Sequence, residues 1–160
     1  MFCYICNGLV LHFRHIFKPQ NVICHFETRQ RKKKQKHFMK KGLIDWLNNI
    51  QKIDGIPPKE VIAFNFGIYE SETGYKIYLV GSFEYDENDD DWACIEMPTK
   101  SHRYFDLPKE LQSKAWDEIL TACANSLIEL EKEGKLKIDL FKNAIAITAG
   151  FDDGELIKIR

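Results

Sequence analysis

The sequence lacks long apolar runs and has few cysteines. No uninterrupted apolar stretch approaches the roughly 18 residues that a membrane helix requires, so we expect a soluble protein. The opening run, MFCYICNGLVLHF, has no basic residue before its apolar part and no clear cleavage site of small residues, so no signal peptide is expected. Only two of the five cysteines, Cys94 and Cys123, lie beyond residue 38, which argues against a disulfide scaffold. These absences together predict a cytoplasmic protein.

The motifs of common catalytic and cofactor sites are also missing. Neither G-x-x-x-x-G-K nor G-x-G-x-x-G occurs. Beyond residue 38 the sole histidine is His102, between Ser101 and Arg103, with no nucleophile elbow nearby. Cys94 and Cys123 fall in strand-like and helix-like patterns, where cysteine usually behaves as a small buried hydrophobe. The sequence therefore predicts a protein that is not an enzyme and has no cofactor and no metal site.

Charge is divided unevenly along the chain. Its 160 residues, 44% of them hydrophobic, are enough for one domain with its own core, and the formal net charge is only -1. Residues 1–38, however, carry eight Lys or Arg and one acid, whereas residues 39–160 carry 15 basic and 23 acidic residues. A basic head of charge +7 therefore precedes an acidic body of charge -8.

The basic head, residues 1–38, is predicted to be a disordered or non-native extension of a single acidic domain, residues 39–160. Met39 opens the run MKKGLIDWLNNI, a charged start followed at once by an amphipathic helix, as in an intact protein. The basic run RQRKKKQK, residues 29–36, could bind nucleic acid through phosphates, but it has no aromatic residues to stack on bases, so we favour a solvated tail. Zinc could be held by four of the head's cysteines and histidines, Cys3, Cys6, His12, His15, Cys24 and His25.

Apolar periodicity predicts a first helix followed by a β-hairpin. Four apolar residues fall on one stripe of this helix, Leu43, Trp46, Leu47 and Ile50. The helix should end before DGIPP, because proline cannot continue it. The run VIAFNFGIY, residues 61–69, alternates as a strand with one buried face. After a turn at Gly74, the run YKIYLVGSF, residues 75–83, returns as its hairpin partner.

The second half of the chain predicts a strand, a long helix and another hairpin. WACIEM, residues 92–97, is expected to be a third strand, and residues 98–108 a loop. Asp106 and Pro108 should mark the start of the second helix and Gly134 its end. NAIAITAGF and ELIKIR, joined by DDG, are typical of a second hairpin. The order α-β-β-β-α-β-β predicts an α+β domain, with an antiparallel sheet of about five strands and two main helices packed on one face.

The most acidic part of the chain is GSFEYDENDDDWACIE, in which residues 84–91 hold six carboxylates. Asp86, Asn88 and Asp90 match the opening of a calcium loop, but the glycine at its sixth position and the glutamate at its twelfth are missing. A metal-dependent or carboxylate-based enzyme that uses the Asp86–Asp91 region stays open as the alternative function.

A recognition surface is the favoured interpretation of these carboxylates. A second acidic turn, FDDGE, joins strands of the same predicted sheet, and aromatic residues lie close in sequence to the charges. Carboxylates steer a basic partner into encounter, while aromatic side chains supply contact energy. The predicted partner-binding residues are Tyr69, Glu84, Tyr85, Asp86, Glu87, Asp89, Asp90, Asp91, Trp92, Asp152 and Asp153.

Three runs of the acidic body, FNFGIYESETGYKIYLVGS, DDDWA and ITAGFDDGELIKI, together resemble the small acidic immunity proteins of bacterial polymorphic toxin systems. The resemblance covers residues 39–160. It implies a single α+β domain that binds and blocks a cognate toxin without catalysis. It further implies that the partner is a secreted effector with a basic surface, such as a nuclease.

Overall fold

The computed structural model describes residues 20–94 and 104–160. The elements are α1 (Gln20–Asp54), β1 (Ala63–Ser71), β2 (Gly74–Ser82), a 3-10 helix (Asp90–Cys94), β3 (Tyr104–Asp106), α2 (Trp116–Lys132), a second 3-10 helix (Asp139–Phe141), β4 (Ala146–Phe151) and β5 (Ile157–Lys158). This order confirms the predicted α+β class. None of the helices in these ranges is long and apolar enough to cross a membrane. Five of the residues singled out above lie outside the described residues: the candidate zinc ligands Cys3, Cys6, His12 and His15, and the loop histidine His102. The side chains of the other two candidate ligands, Cys24 and His25, also lie outside the described part of the chain.

Helix α1 is longer than the sequence predicts. Its 35 residues span about 52 Å at a rise of 1.5 Å per residue. The predicted stripe from Leu43 to Ile50 is buried, and Gly55, with a φ of 85°, follows the last helical residue. Residues 20–38, for which we expected disorder, are helical, and Lys36 among them pairs with Glu129 of α2. The interpretation of residues 1–38 as non-native stays a prediction.

The five strands form one mixed sheet in the order β3-β2-β1-β4-β5. Three of its four strand pairs are antiparallel, but β1 and β4 are parallel. A parallel pair needs a long crossover connection, and the chain between β1 and β4 supplies one because it includes α2. The predicted antiparallel sheet is therefore corrected to a mixed sheet with β1 at its centre.

Both helices pack on the same face of this sheet. The rings of Phe64 and Phe141 lie 4.9 Å apart at 81°, and the ring of Trp46 in α1 lies 6.3 Å from that of Phe66. These aromatic residues belong to one core cluster with buried residues from α1, α2 and the strands. The alternation predicted for β1 is confirmed on this face, where Phe64, Phe66 and Ile68 are all buried.

Two predicted boundaries differ from the structure. Residues 90–94 form a 3-10 helix instead of the start of a strand, and residues 95–97 lie outside the described part of the chain. The third strand is Tyr104–Asp106, within the expected loop, and Asp106 there pairs with Lys76 of β2 at 3.0 Å. Helix α2 accordingly begins only at Trp116, because Asp106 is a strand residue and Pro108 opens a separate turn.

The C-terminal end of α2 is fixed by Gly134 and Arg160. Gly134 has a φ of 70°, and the N–H of Lys135 donates to the carbonyl of Leu130 at 2.8 Å, which confirms the predicted stop. The Arg160 guanidinium donates two hydrogen bonds of 2.8 Å to the Glu131 carboxylate. This pairing holds the pKa of Glu131 below its ordinary value of 4.5.

Replacing the buried Leu43 by alanine should lower the free energy of unfolding by about 2–5 kcal/mol, because a cavity forms between α1 and the sheet. Urea denaturation measures the loss. Ile53→Ala is the matched control, since Ile53 lies on the same helix but is 37% exposed, and it should cost about 0.5 kcal/mol or less. Equal losses in the two variants would contradict the packing of α1 described above.

Glu131→Gln should lower the free energy of unfolding by about 1–3 kcal/mol at neutral pH, because the paired bonds from Arg160 lose their charge. The folded pKa of Glu131 lies below its unfolded value, so this contribution is present above about pH 4.5 and disappears as the pH falls through the folded pKa. Urea unfolding across this range compares the variant with the unchanged protein and with Glu155→Gln, a change at an exposed carboxylate. A difference that did not shrink in acid would refute the assignment.

Candidate partner-binding surface

The face of the sheet that points away from the helices is built from small and polar residues. Ala63, Asn65 and Gly67 of β1 lie on this second face, and all three are buried. Because β1 is buried on both faces, an element other than the helices must cover the second face. The cover comes from residues 83–94, which follow β2 and contain most of the acidic residues predicted to bind a partner.

Trp92 attaches this covering segment to the sheet. Its side chain is only 5% exposed and packs against Ala63 and Ala146, and the ring of Tyr85 meets it edge-on at 5.3 Å. From the sequence, Trp92 is predicted to contact a partner. Because its ring is buried within the protein, Trp92 instead acts as the anchor that holds the acidic segment in place.

The carboxylates of the segment order their own backbone. Asp86 Oδ1 accepts a hydrogen bond from the N–H of Asn88 at 2.8 Å, and Asp89 Oδ1 accepts one from the N–H of Asp91 at 3.0 Å. Such Asx turns replace the backbone pairing that a strand would provide. This local bonding favours a compact turn over residues 86–91, which leads into the 3-10 helix found where the predicted strand, residues 92–97, should begin.

Two contacts join the acidic segment to the β4–β5 hairpin. Asp90 Oδ2 accepts a hydrogen bond from the N–H of Leu156 at 3.3 Å. Glu87 pairs with Lys158 at 2.7 Å, and the Lys158 ammonium also lies 5.9 Å from the centre of the Tyr85 ring. The ammonium holds the pKa of Glu87 below its ordinary value, since it stabilises the ionised carboxylate.

The two acidic turns leave the sheet at opposite ends but meet on the second face. Register aligns Ala63 with Ser82 and with Ala146 at one end, and Ile68 with Phe151 at the other. The acidic segment starts beyond Ser82, whereas Asp152 follows Phe151. Because the segment folds back across the face, carboxylates from both turns line one cavity of about 270 Å³.

This cavity carries a local excess of negative charge. Among residues 20–94 and 104–160, its lining includes three exposed carboxylates, those of Asp90, Asp91 and Asp152, and no basic residue. The floor is formed by the buried side chains of Asn65 and Val80. A positively charged group would therefore find several carboxylates among the described lining residues.

A pair of glycines shapes the sheet beneath the cavity. Gly67 and Gly150 are aligned in the β1–β4 register. A Cβ atom at Gly67 would lie 2.0 Å from Cζ of Tyr78, and one at Gly150 would lie 2.7 Å from Cδ2 of Leu156. The missing side chains thus let Tyr78 and Leu156, which both line the cavity, lie directly on the strands.

Three tyrosines form an aromatic cluster beside the cavity. The rings of Tyr69, Tyr78 and Tyr104 lie 5.7–6.5 Å apart with tilted or edge-to-face geometry. Tyr104 is 53% exposed, and the Tyr78 hydroxyl donates a hydrogen bond to Asp152 Oδ1. The cluster therefore connects an exposed aromatic surface to the acidic cavity.

The structure brings together only part of the predicted set. Asp90, Asp91 and Asp152 share the cavity, and Tyr69 joins it through Tyr78. The other predicted residues do not line the cavity: Glu84, Asp86, Glu87, Asp89 and Asp153 are exposed, Tyr85 is half-buried and Trp92 is buried. Three further residues belong to this surface and were not predicted from the sequence: Asn65, Tyr78 and Tyr104.

The cysteines differ from each other in environment. Cys123 is buried in α2, and burial raises the pKa of its thiol to about 12, which suits the predicted role as a small hydrophobe. Cys94, expected to be buried, is exposed and lines the cavity. Across residues 20–94 and 104–160, no group of three or more His, Cys, Asp or Glu side chains is placed to hold a metal ion.

Comparison with known proteins gives no family assignment: no family model, curated protein or solved structure matches the chain.

Gly67→Ala should lower the free energy of unfolding by about 1–3 kcal/mol, because the added methyl group collides with the ring of Tyr78. In a protein that already carries Tyr78→Ala, Gly67→Ala should lower the free energy of unfolding only slightly. Gly154→Ala is the matched control, since a Cβ there has its nearest contact at an ordinary 3.6 Å. Urea unfolding of the single and double variants measures how far the two substitutions depend on each other. An equal loss of unfolding free energy from Gly67→Ala with and without the Tyr78 ring would disprove the contact.

Proposed function

We propose that this protein is a non-catalytic binding protein of the immunity type, which captures and neutralises a basic bacterial toxin with the second face of its sheet. The observation that carries the proposal is the convergence of the two acidic turns beside the tyrosine cluster. The toxin is identified by its chemistry alone, as a protein whose active surface is basic. The resemblance of residues 39–160 to immunity proteins supports the same proposal.

Electrostatics and packing supply different parts of the binding. Exposed carboxylates around the cavity attract a basic surface over a distance and can raise association towards about 10⁸–10⁹ M⁻¹s⁻¹ at low salt. Aromatic side chains provide contact area with few rotatable bonds, so little entropy is lost when a partner orders them. Tyr69 and Tyr104 pack against Tyr78, whose hydroxyl donates to Asp152, so the aromatic contact area adjoins the charges that attract the partner.

The surface that we propose differs from the predicted residue set. Trp92 and Tyr85 support it from beneath, because their rings pack against each other. The proposed contact residues are Tyr69, Tyr78, Glu84, Asp86, Glu87, Asp89, Asp90, Asp91, Tyr104, Asp152 and Asp153. Enzymatic use of the Asp86–Asp91 region stays a prediction, which calorimetry with Mg²⁺, Mn²⁺, Ca²⁺ and Zn²⁺ would test.

Co-expression with the product of the adjacent reading frame tests the proposal directly. We expect a complex that survives purification and cells that are rescued from the toxicity of that product. The triple variant Asp90→Asn, Asp91→Asn and Asp152→Asn should slow association at low salt by at least about tenfold, because three steering charges are lost. Stopped-flow mixing at several salt concentrations measures the rate.

A second triple variant controls for net charge. Asp117→Asn, Glu118→Gln and Asp139→Asn remove the same charge from exposed positions in α2 and the second 3-10 helix. These elements pack on the other face of the sheet, so association should change by less than about twofold. Absence of both complex and rescue would rule out the function, and equal slowing by the two triple variants would rule out the surface.

A further inference from the structure

The floor of the acidic cavity contains a polar group with unused hydrogen-bonding capacity. Asn65 is only 5% exposed, and it lines the cavity. Its Oδ1 accepts a hydrogen bond of 3.0 Å from Thr148 Oγ1, whereas its Nδ2 donates to no described residue. The Nδ2 atom is open to the cavity, so water or a ligand can complete its hydrogen bonding. The amide therefore offers a hydrogen-bonding group to an occupant of the cavity.

The amide can match either kind of partner. The Thr148 hydroxyl can both donate and accept, so turning the Asn65 amide by 180° keeps that bond and presents Oδ1 to the cavity instead of Nδ2. In this orientation the floor offers an acceptor beneath the carboxylates. A ligand that carries several N–H donors would then be met from the floor as well as from the rim.

Carboxylate oxygens remain free at the rim. Asp152 uses Oδ1 for the Tyr78 hydroxyl and Asp90 uses Oδ2 for the N–H of Leu156, so each keeps one oxygen for another donor. The Asp91 side chain is exposed, and none of these three acids forms an ion pair among the described residues. The acceptors come from two separate chain segments and thus surround the cavity.

We infer that this cavity receives an arginine side chain of the partner. A guanidinium carries five N–H donors in a rigid plane, which suits acceptors contributed by two chain segments and by the floor, and it packs well against an aromatic ring such as that of Tyr78. A lysine ammonium offers three donors at one point and stays more strongly hydrated. The inference rests on the proposed function, because it names the residue by which the basic partner enters.

Titration of the full chain, labelled with ¹⁵N, tests the cavity without the partner. The probe is the blocked tripeptide Ac-Gly-Arg-Gly-NH₂, and the comparison peptides carry lysine or the uncharged isostere citrulline in place of arginine. We expect saturable shifts of the Asn65 side-chain amide with the arginine peptide. The lysine peptide should bind at least about threefold more weakly, and the citrulline peptide at least about tenfold more weakly.

Substitutions locate the site. Asp152→Asn should weaken binding of the arginine peptide by at least about fivefold, because a carboxylate of the cavity is lost. Glu155→Gln is the matched control, since Glu155 is an exposed carboxylate in the same turn that does not line the cavity. It should change the affinity by less than about twofold.

Three results would overturn the inference: no shift of the Asn65 amide, equal binding of the citrulline peptide, or equal weakening by Asp152→Asn and Glu155→Gln. These failures are separable from failure of the proposed function. Capture of the toxin without any arginine effect at Asn65 would remove the inference and leave the function. Arginine binding at Asn65 without any captured toxin would do the reverse.

Discussion

Burial of the central strand on both faces is the constraint on which the rest of the structure depends. On one face, Phe64 and Phe66 require the apolar surfaces of α1 and α2. On the other, small residues cannot fill a second core by themselves, so the chain after β2 lays Trp92 over them. Burial of this ring, together with the hydrogen bond from the Leu156 N–H to Asp90 and the Glu87–Lys158 ion pair, holds the acidic segment against the sheet.

Most of the fold could be predicted from local sequence patterns. The helical stripe of α1 and the alternation of β1 each depend on neighbouring residues, and both are found as predicted. Gly74 at the predicted turn and Gly134 at the predicted helix stop both have positive φ. Their conformation depends on the local backbone alone, so the sequence could predict it. The parallel pairing of β1 with β4 was not predicted. It depends on how α2 packs across the sheet, and no local sequence signal, such as a turn residue, indicates that packing.

The site was less predictable than the fold, for the same reason. Its charge is visible in the sequence, but the meeting of Asp90 with Asp152 depends on a segment that crosses the sheet from one end to the other. Tyr104 was placed in a loop, because three strand residues are too few to show an alternating pattern. Trp92 was read as part of an apolar strand, since a buried ring looks the same in sequence whether a strand or a 3-10 helix carries it.

The separation of charge in space explains how an almost neutral chain can present a strongly acidic face. Basic residues of α1 such as Lys36 and Lys40 pair with Glu129 and Glu133 of α2, on the helical side of the sheet. The acidic cavity lies on the opposite side. A packed layer is about 10 Å thick, whereas charges in physiological salt are screened over about 8 Å. The field above the second face is therefore set by the charged groups of that face, its carboxylates together with Lys76 and Lys158, and little by the basic helix.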